Sequence, residues 1–537
     1  MTAPGSAPTS GHQELGTFCL VLHSHLPWLA HHGSWPVGEE WLYQAWAHSY
    51  LPVVDMLRRF AAEGRRDVLT LGMTPVLASQ LDDPYCLRAF HDWLGGWSLR
   101  AQYAGTRWQA EDNVLRELAA AEYRAAERAL EAFESQWRNG FSPILRSIVD
   151  AGVIELLGGP ATHPFQPLLD RRVRAFALRT GLADTALRTG CRPEGIWAPE
   201  CGYAPGMERD YAAAGVRRFL VDGPSVRGRT STAYPVGDSD VVCFARDLEV
   251  TYRVWSPKAG YPGDAAYRDF HSWDHPTGIK PSRVTGKQVP PQDKLPYDPA
   301  PAAAAVRRHA ADFIDTVVGR LKSLREQHGK PGMVVAAYDT ELYGHWWHEG
   351  PAWLEAVLRG LPEAGVRVSS LRGALEAGHI ADPIELPASS WGSGKDWRVW
   401  DGEQVADMVS ANTDLQRDLL AVVGDAEYGC HPVGPGESGV STPGPGKNHL
   451  QRNRALDQLV REALLALSSD WAFMVTKDSA AGYARDRARV HHERVAELTG
   501  LLHARQHDGA AFLAARLRTS DGPFGHLDAR DLARALG

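Results

Sequence analysis

Short apolar runs recur along this chain, and each one hands over to polar or turn-forming residues. Residues 17–25 (TFCLVLHSH), 67–74 (DVLTLGMT), 152–159 (GVIELLGG), 195–200 (GIWAPE), 216–221 (VRRFLV) and 333–338 (MVVAAY) are of this kind. Runs that lack polar alternation suit strands buried on both faces, as in a parallel sheet covered by helices. Helical patterns at 40–63, 168–187 and 312–327 lie between them. With a weaker strand at 366–370, about seven strands alternate with helices. The pattern predicts an α/β fold, a distorted (β/α)7 barrel whose eighth unit is incomplete.

Two stretches break the alternation. Residues 84–149 are continuously helical in character, too long for one crossover, and read as an inserted helical subdomain with a solvated charged face. From 222 to about 300 regular pattern is scarce, yet Tyr252, Trp255, Tyr261, Tyr267 and Trp273 fall there. Disordered segments are poor in aromatics, so a folded loop over a site is expected. A Gly/Trp-rich crossing at 389–400 leads to a mainly helical remainder, interrupted by a Gly/Pro/Ser stretch at 429–447 that reads as a mobile loop. The expected organisation is a flexible tail (1–15), a catalytic barrel (16–83 and 150–388), the helical insertion (84–149) and a C-terminal helical domain (389–537).

Composition narrows the function classes. A net charge of −8 with no basic block argues against nucleic acid. No apolar run approaches the roughly 18 residues that span a bilayer, which argues against a membrane partner. The first fifteen residues lack the basic and apolar regions of a signal peptide. Six scattered cysteines without zinc-type spacing read as reduced thiols, so a cytoplasmic protein is expected. Eighteen tryptophans are many for this length; some belong to the core, and a surplus suits a carbohydrate groove as well as a protein interface.

The candidate chemistry lies where these strands end. Glu200 closes a strand in WAPECGY, between Trp197 and Tyr203, and Asp339 closes another in YDTELYGHWW. His23 and His25, spaced by two, share one side of a strand, and His163 follows the strand at 152–159. A barrel gathers strand ends from distant parts of the sequence at one rim. Two carboxylates in an aromatic cleft are the minimal equipment for glycoside chemistry, one attacking the anomeric carbon and one protonating the leaving oxygen.

Residues 23–28, 158–164, 196–203, 337–347 and 389–400 together resemble the ordered motifs of glycoside hydrolase family 57, most closely its α-1,4-glucan branching enzymes. The resemblance implies a (β/α)7 barrel, a retaining double displacement on an α-glucan and no cofactor or metal. It implies Glu200 as nucleophile and Asp339 as general acid/base, with His23, His25 and His163 lining the cleavage subsite. Trp35, Trp391 and Trp400 match aromatics that guide the glucan, with Trp197 and Trp346 beside the catalytic motifs. Tyr261, in the GYPG of the long loop, matches a tip that shields the intermediate from water. Pro281 and Ser282 stand where aromatics are expected, and the 429–447 stretch is unusual, which puts branching against hydrolysis in question. An α-amylase or 4-α-glucanotransferase on the same machinery is the nearest alternative. A zinc hydrolase or deacetylase using His23, His25, His163 and Asp339 is another. A non-catalytic glucan-binding protein is the third, and the carboxylate pair argues against it.

Overall fold

The computed structural model describes residues 14–108, 113–256, 258–425 and 452–534. The 429–447 stretch and most of the N-terminal tail lie outside the described residues.

Nine strands make one sheet: β1 (Gly16–Ser24), β2 (Leu69–Met73), β3 (Ile154–Gly158), β4 (Gly195–Ile196), β5 (Arg218–Asp222), β6 (Tyr234–Pro235), β7 (Val242–Arg246), β8 (Gly332–Asp339) and β9 (Arg367–Ser369). Their order is β6-β7-β5-β4-β3-β2-β1-β8, and every pairing along it is parallel except β6 with β7. The Asp247 N–H donates to Val335 O at 2.8 Å, which brings β7 back beside β8. Seven parallel strands thus close on themselves, and their carboxyl ends share one rim. All nine residues of β1 are buried, as its apolar run requires.

One strand assignment differs from the sequence expectation. The sixth stave is β7, from a segment expected to be irregular, whereas β9 pairs only with Thr17–Cys19 on the lower part of β1. β7 was hidden because it is five residues long and its partner β6 has only two.

The insertion contains a helix at Pro84–Arg107, capped by Asp83, packed along a second at Asn113–Ala132. Phe90, Leu94, Trp97, Ala101 and Ala104 recur at helical spacing on the buried face. Trp46 stacks on Phe90 with centroids 4.3 Å apart, fixing the insertion to the barrel. Its charges are not all solvated. Glu122 is buried, ion-paired to Arg268 at 2.6 Å, and accepts from Trp97 Nε1 at 2.9 Å. Although burial opposes its charge, Arg268 holds the Glu122 carboxyl down at about 2.

The C-terminal part packs helices Ala406–Gly424, Arg454–Ala466, Ser469–Lys477, Ala481–His503 and His507–Arg518. Every residue of Arg454–Ala466 after the exposed Arg454 is buried. Buried polar pairs register this part on the barrel, including His32 with Asp521 at 2.6 Å. Among the described residues, no helix is long and apolar enough to cross a membrane.

Candidate active site

Glu200 does not end a strand directly. β4 stops at Ile196, Ala198 remains extended, and Pro199–Cys201 forms a tight turn in which Glu200 has φ 61° and Cys201 φ 49°. His163, beyond β3, also lies in the left-handed region with φ 56°. Such backbone costs about 1–3 kcal/mol per residue and persists only where the surroundings enforce it. Here Tyr203 and Ser389 exchange backbone hydrogen bonds at 3.0 and 3.1 Å, and the Trp391 N–H donates to Glu200 O at 2.9 Å. The segment at 389–391 therefore runs antiparallel to the turn through an isolated bridge at Ser389. Gly202 permits the close approach, since a Cβ there would meet the Phe165 ring at 2.7 Å.

Both oxygens of Glu200 are held. Trp391 Nε1–H donates to Oε2 at 2.8 Å, and Ser469 Oγ–H donates to Oε1 at 2.8 Å. Ser469 in turn accepts from His163 Nδ1 at 3.0 Å, and His163 Nε2 lies 3.1 Å from His23 Nε2. One proton assignment satisfies this chain: His23 donates to His163, His163 to Ser469, and Ser469 to Glu200. It requires His163 to be neutral, since its Nε2 accepts while its Nδ1 donates. Burial first, then neighbouring histidines, hold His23 and His163 well below the usual imidazole range.

His25 is wired differently. Its Nε2 donates to Asp470 Oδ2 at 2.9 Å, its Nδ1 meets Thr74 Oγ1 at 3.1 Å, and its ring stacks on His163 at 3.8 Å. Burial opposes the Asp470 charge, but His25 and Ser468 keep the carboxyl below its ordinary value. Ser469 and Asp470 begin the helix Ser469–Lys477, whose positive end favours carboxylate charge nearby. Neither residue was singled out from sequence, where nothing in their surroundings marks them.

Asp339 ends β8, in register with His23 on β1, and is partly exposed. Burial first, then the charge of Glu200, raises its carboxyl to about 7. Burial, with Asp470 as a lesser cause, raises Glu200 to about 7 despite its two donors. Beside them Glu341 is buried and accepts from Tyr50 Oη at 2.5 Å and from the His25 N–H at 3.1 Å. Burial first, then the charge of Asp339, pushes it up to about 8.

The expected glucan platforms divide. Trp391 and Trp346 are partly exposed, and Trp35 is 67% exposed. Trp35 and Trp346 line a cavity of about 270 Å³ together with Trp93 and Trp97 of the insertion and Phe270 and Trp273 of the long loop. Phe270 and Trp273 flank Lys280 at 3.8 and 4.5 Å, so this wall has aromatics next to Pro281 and Ser282. Three expectations are corrected. Trp197 is buried with one face on His23 at 4.3 Å, and Trp400 is buried with a face on Phe165 at 4.6 Å. Tyr261 is only 6% exposed, stacked on His309 and hydrogen-bonded to Asp312. It anchors the long loop on the helix Pro299–His328 and forms no tip; the exposed aromatics of that loop are Tyr252 and Trp255.

Among the described residues, metal-type donors come together in two places, His25 with His163 and Asp470, and His32 with His491 and Asp521, with donor atoms within 4.8 Å. The zinc expectation of His23, His25, His163 and Asp339 changes accordingly, because the cluster leaves out both His23 and Asp339 and takes in Asp470. Both ring nitrogens of His25 and of His163 are already engaged with protein groups.

A model for glycosyl hydrolase family 57 matches residues 19–377, and one for the C-terminal part of 1,4-alpha-glucan branching enzymes matches 440–532. The chain belongs to glycoside hydrolase family 57. It is 54% identical over 537 residues to a Mycobacterium tuberculosis protein described as "Probable 1,4-alpha-glucan branching enzyme", covering 98% of this chain and 100% of that one. A 1,4-alpha-glucan branching enzyme of Thermococcus kodakarensis is 32% identical, over 89% of this chain and 72% of its own length. The crystal structure of the Thermococcus enzyme superposes with a TM-score of 0.86 at 29% identity, covering 96% of each chain. An α-amylase from Thermotoga maritima superposes with a TM-score of 0.82 at 26% identity, over 97% of this chain and 99% of that one.

Proposed function

We propose that this protein is a 1,4-alpha-glucan branching enzyme, with Glu200 as nucleophile and Asp339 as general acid/base. Ionised Glu200 attacks the anomeric carbon of an α-1,4-linked glucose while protonated Asp339 delivers its proton to the departing O4. The product is a glycosyl ester on Glu200 and a shortened chain. Asp339, now ionised, takes the proton of an incoming glucan 6-hydroxyl as that oxygen displaces Glu200, leaving an α-1,6 branch. Burial and the charge of Glu200 raise the Asp339 carboxyl, which suits the group that carries a proton into the first step. His25 and Trp391 contact the sugar at the cleavage point, while His23, His163 and Trp197 set the rings behind them. Trp35 and Trp346 guide the acceptor chain. The mechanism needs no cofactor, and the free thiols at the described cysteines suit the reducing cytoplasm, to which we assign it.

The observation that carries the reading is the origin of Ser469 and Asp470. They enter the site from the segment that matches the branching-enzyme C-terminal model, which supports reading that segment as part of the catalytic centre. Plain hydrolysis is the second reading, favoured by the close superposition on an α-amylase. Amylose digestion separates the two: new α-1,6 anomeric protons exceeding new reducing ends support branching, and reducing ends alone support hydrolysis.

A further inference from the structure

Asp222, at the carboxyl end of β5, is fully buried and carries two cations. Arg246, at the end of β7, donates from Nε to Asp222 Oδ1 at 2.9 Å, and Lys395 Nζ lies 2.6 Å from Asp222 Oδ2. Both cations turn toward one residue, Trp391. The Arg246 guanidinium sits 5.3 Å from the Trp391 ring centre, and Lys395 Nζ donates to the Trp391 carbonyl at 3.0 Å. Trp391 is therefore gripped at its ring and at its backbone, with Nε1 aimed at Glu200 Oε2.

We propose that Asp222, Arg246 and Lys395 form a clamp that positions Trp391 for Glu200. The inference rests on Glu200 being the nucleophile. A buried carboxylate with two cations costs desolvation that only good geometry offsets, which makes so closed a triad an unusual investment for a loop contact. An indole N–H held on a carboxylate stabilises the charged form that must attack. The fixed cation of Arg246 also favours ionisation of Asp339 after it has given up its proton. Glu200 additionally faces His163, Asp470, Asp339 and Cys201, none of which belongs to the clamp.

Lys395 is partly exposed, so Lys395→Met is the variant of choice, with Lys395→Arg as the conservative control and Trp391→Phe as the reference. The pH profile of kcat/KM on soluble amylose is recorded with kcat, KM and Tm. Lys395→Met is expected to move the acid limb to higher pH in the direction of Trp391→Phe. Its kcat should fall about 10-fold with KM nearly unchanged, the effect of losing one charge-assisted bond. Lys395→Arg should restore the limb. A lower Tm with an unmoved limb in Lys395→Met would overturn the clamp. If that variant will not fold, Lys395→Ala supplies the same comparison. Full turnover by Glu200→Gln would overturn the assignment beneath it, which is a different result.

Discussion

Ser469 Oγ lies 2.8 Å from Glu200 Oε1, although 269 residues separate them. Ser469→Ala removes this donor and leaves His163 Nδ1 without its acceptor. The Glu200 carboxyl should then rise above about 7, so less of it is ionised at neutral pH. A hydrogen bond to a charged group is worth about 1.5–3 kcal/mol, so kcat/KM near pH 7 should drop roughly 10–100-fold with the acid limb displaced upward. An unmoved limb would mean that the serine does not tune Glu200.

Asp339 also makes a stability prediction. Its folded-state carboxyl is raised to about 7, against about 3.9 for an unperturbed aspartate. Between those values the folded chain binds more protons than the unfolded one, so this residue lowers stability as pH rises through that window. The penalty is complete above the folded value. Asp339→Asn should therefore raise Tm near pH 8 and change it little near pH 4, measured by calorimetry against wild type. A gain that is the same at both pH values would contradict the raised carboxyl.

Much of this site was legible because strand ends mark it. His23, His25, His163, Glu200 and Asp339 all follow apolar runs, and the fold brings those ends together. Ser469 and Asp470 were not legible. They begin an ordinary helix, and their role comes from a tertiary contact that local periodicity does not report. Trp400 and Trp197 were legible as aromatics near the site but not as covered ones, since a sequence does not say which side of a ring Phe165 or His23 will occupy. β7 went unseen for a different reason. Five residues between turns carry too little pattern to outweigh the Gly- and Pro-rich sequence around them.

The long loop can be tested through its aromatics. Tyr261→Ala should destabilise the fold, because it removes a buried ring and the bond to Asp312, at a cost of about 3–5 kcal/mol. Trp255, exposed and 6.0 Å from Trp346, should instead affect partition of the intermediate between water and glucan. Trp255→Ala is expected to raise reducing ends relative to α-1,6 bonds with little change in Tm. A raised ratio in a stable Tyr261→Ala, with none in Trp255→Ala, would return the shielding role to Tyr261.

Dialysis against a chelator tests the metal alternative. His25 and His163 have both ring nitrogens committed to protein partners, so activity on amylose should survive chelation. Loss of activity that zinc restores would favour a metal hydrolase built on His25, His163 and Asp470.

The assignment of Glu200 and Asp339 is tested most directly by trapping the intermediate. Asp339→Asn lacks the general base that helps an acceptor displace the ester, while an α-glucosyl fluoride needs little acid assistance to react. Maltosyl fluoride incubated with Asp339→Asn, followed by digestion and mass spectrometry, should show a maltosyl ester on the peptide containing Glu200. An adduct on another residue, or turnover with an inverted anomeric product and no adduct, would contradict it.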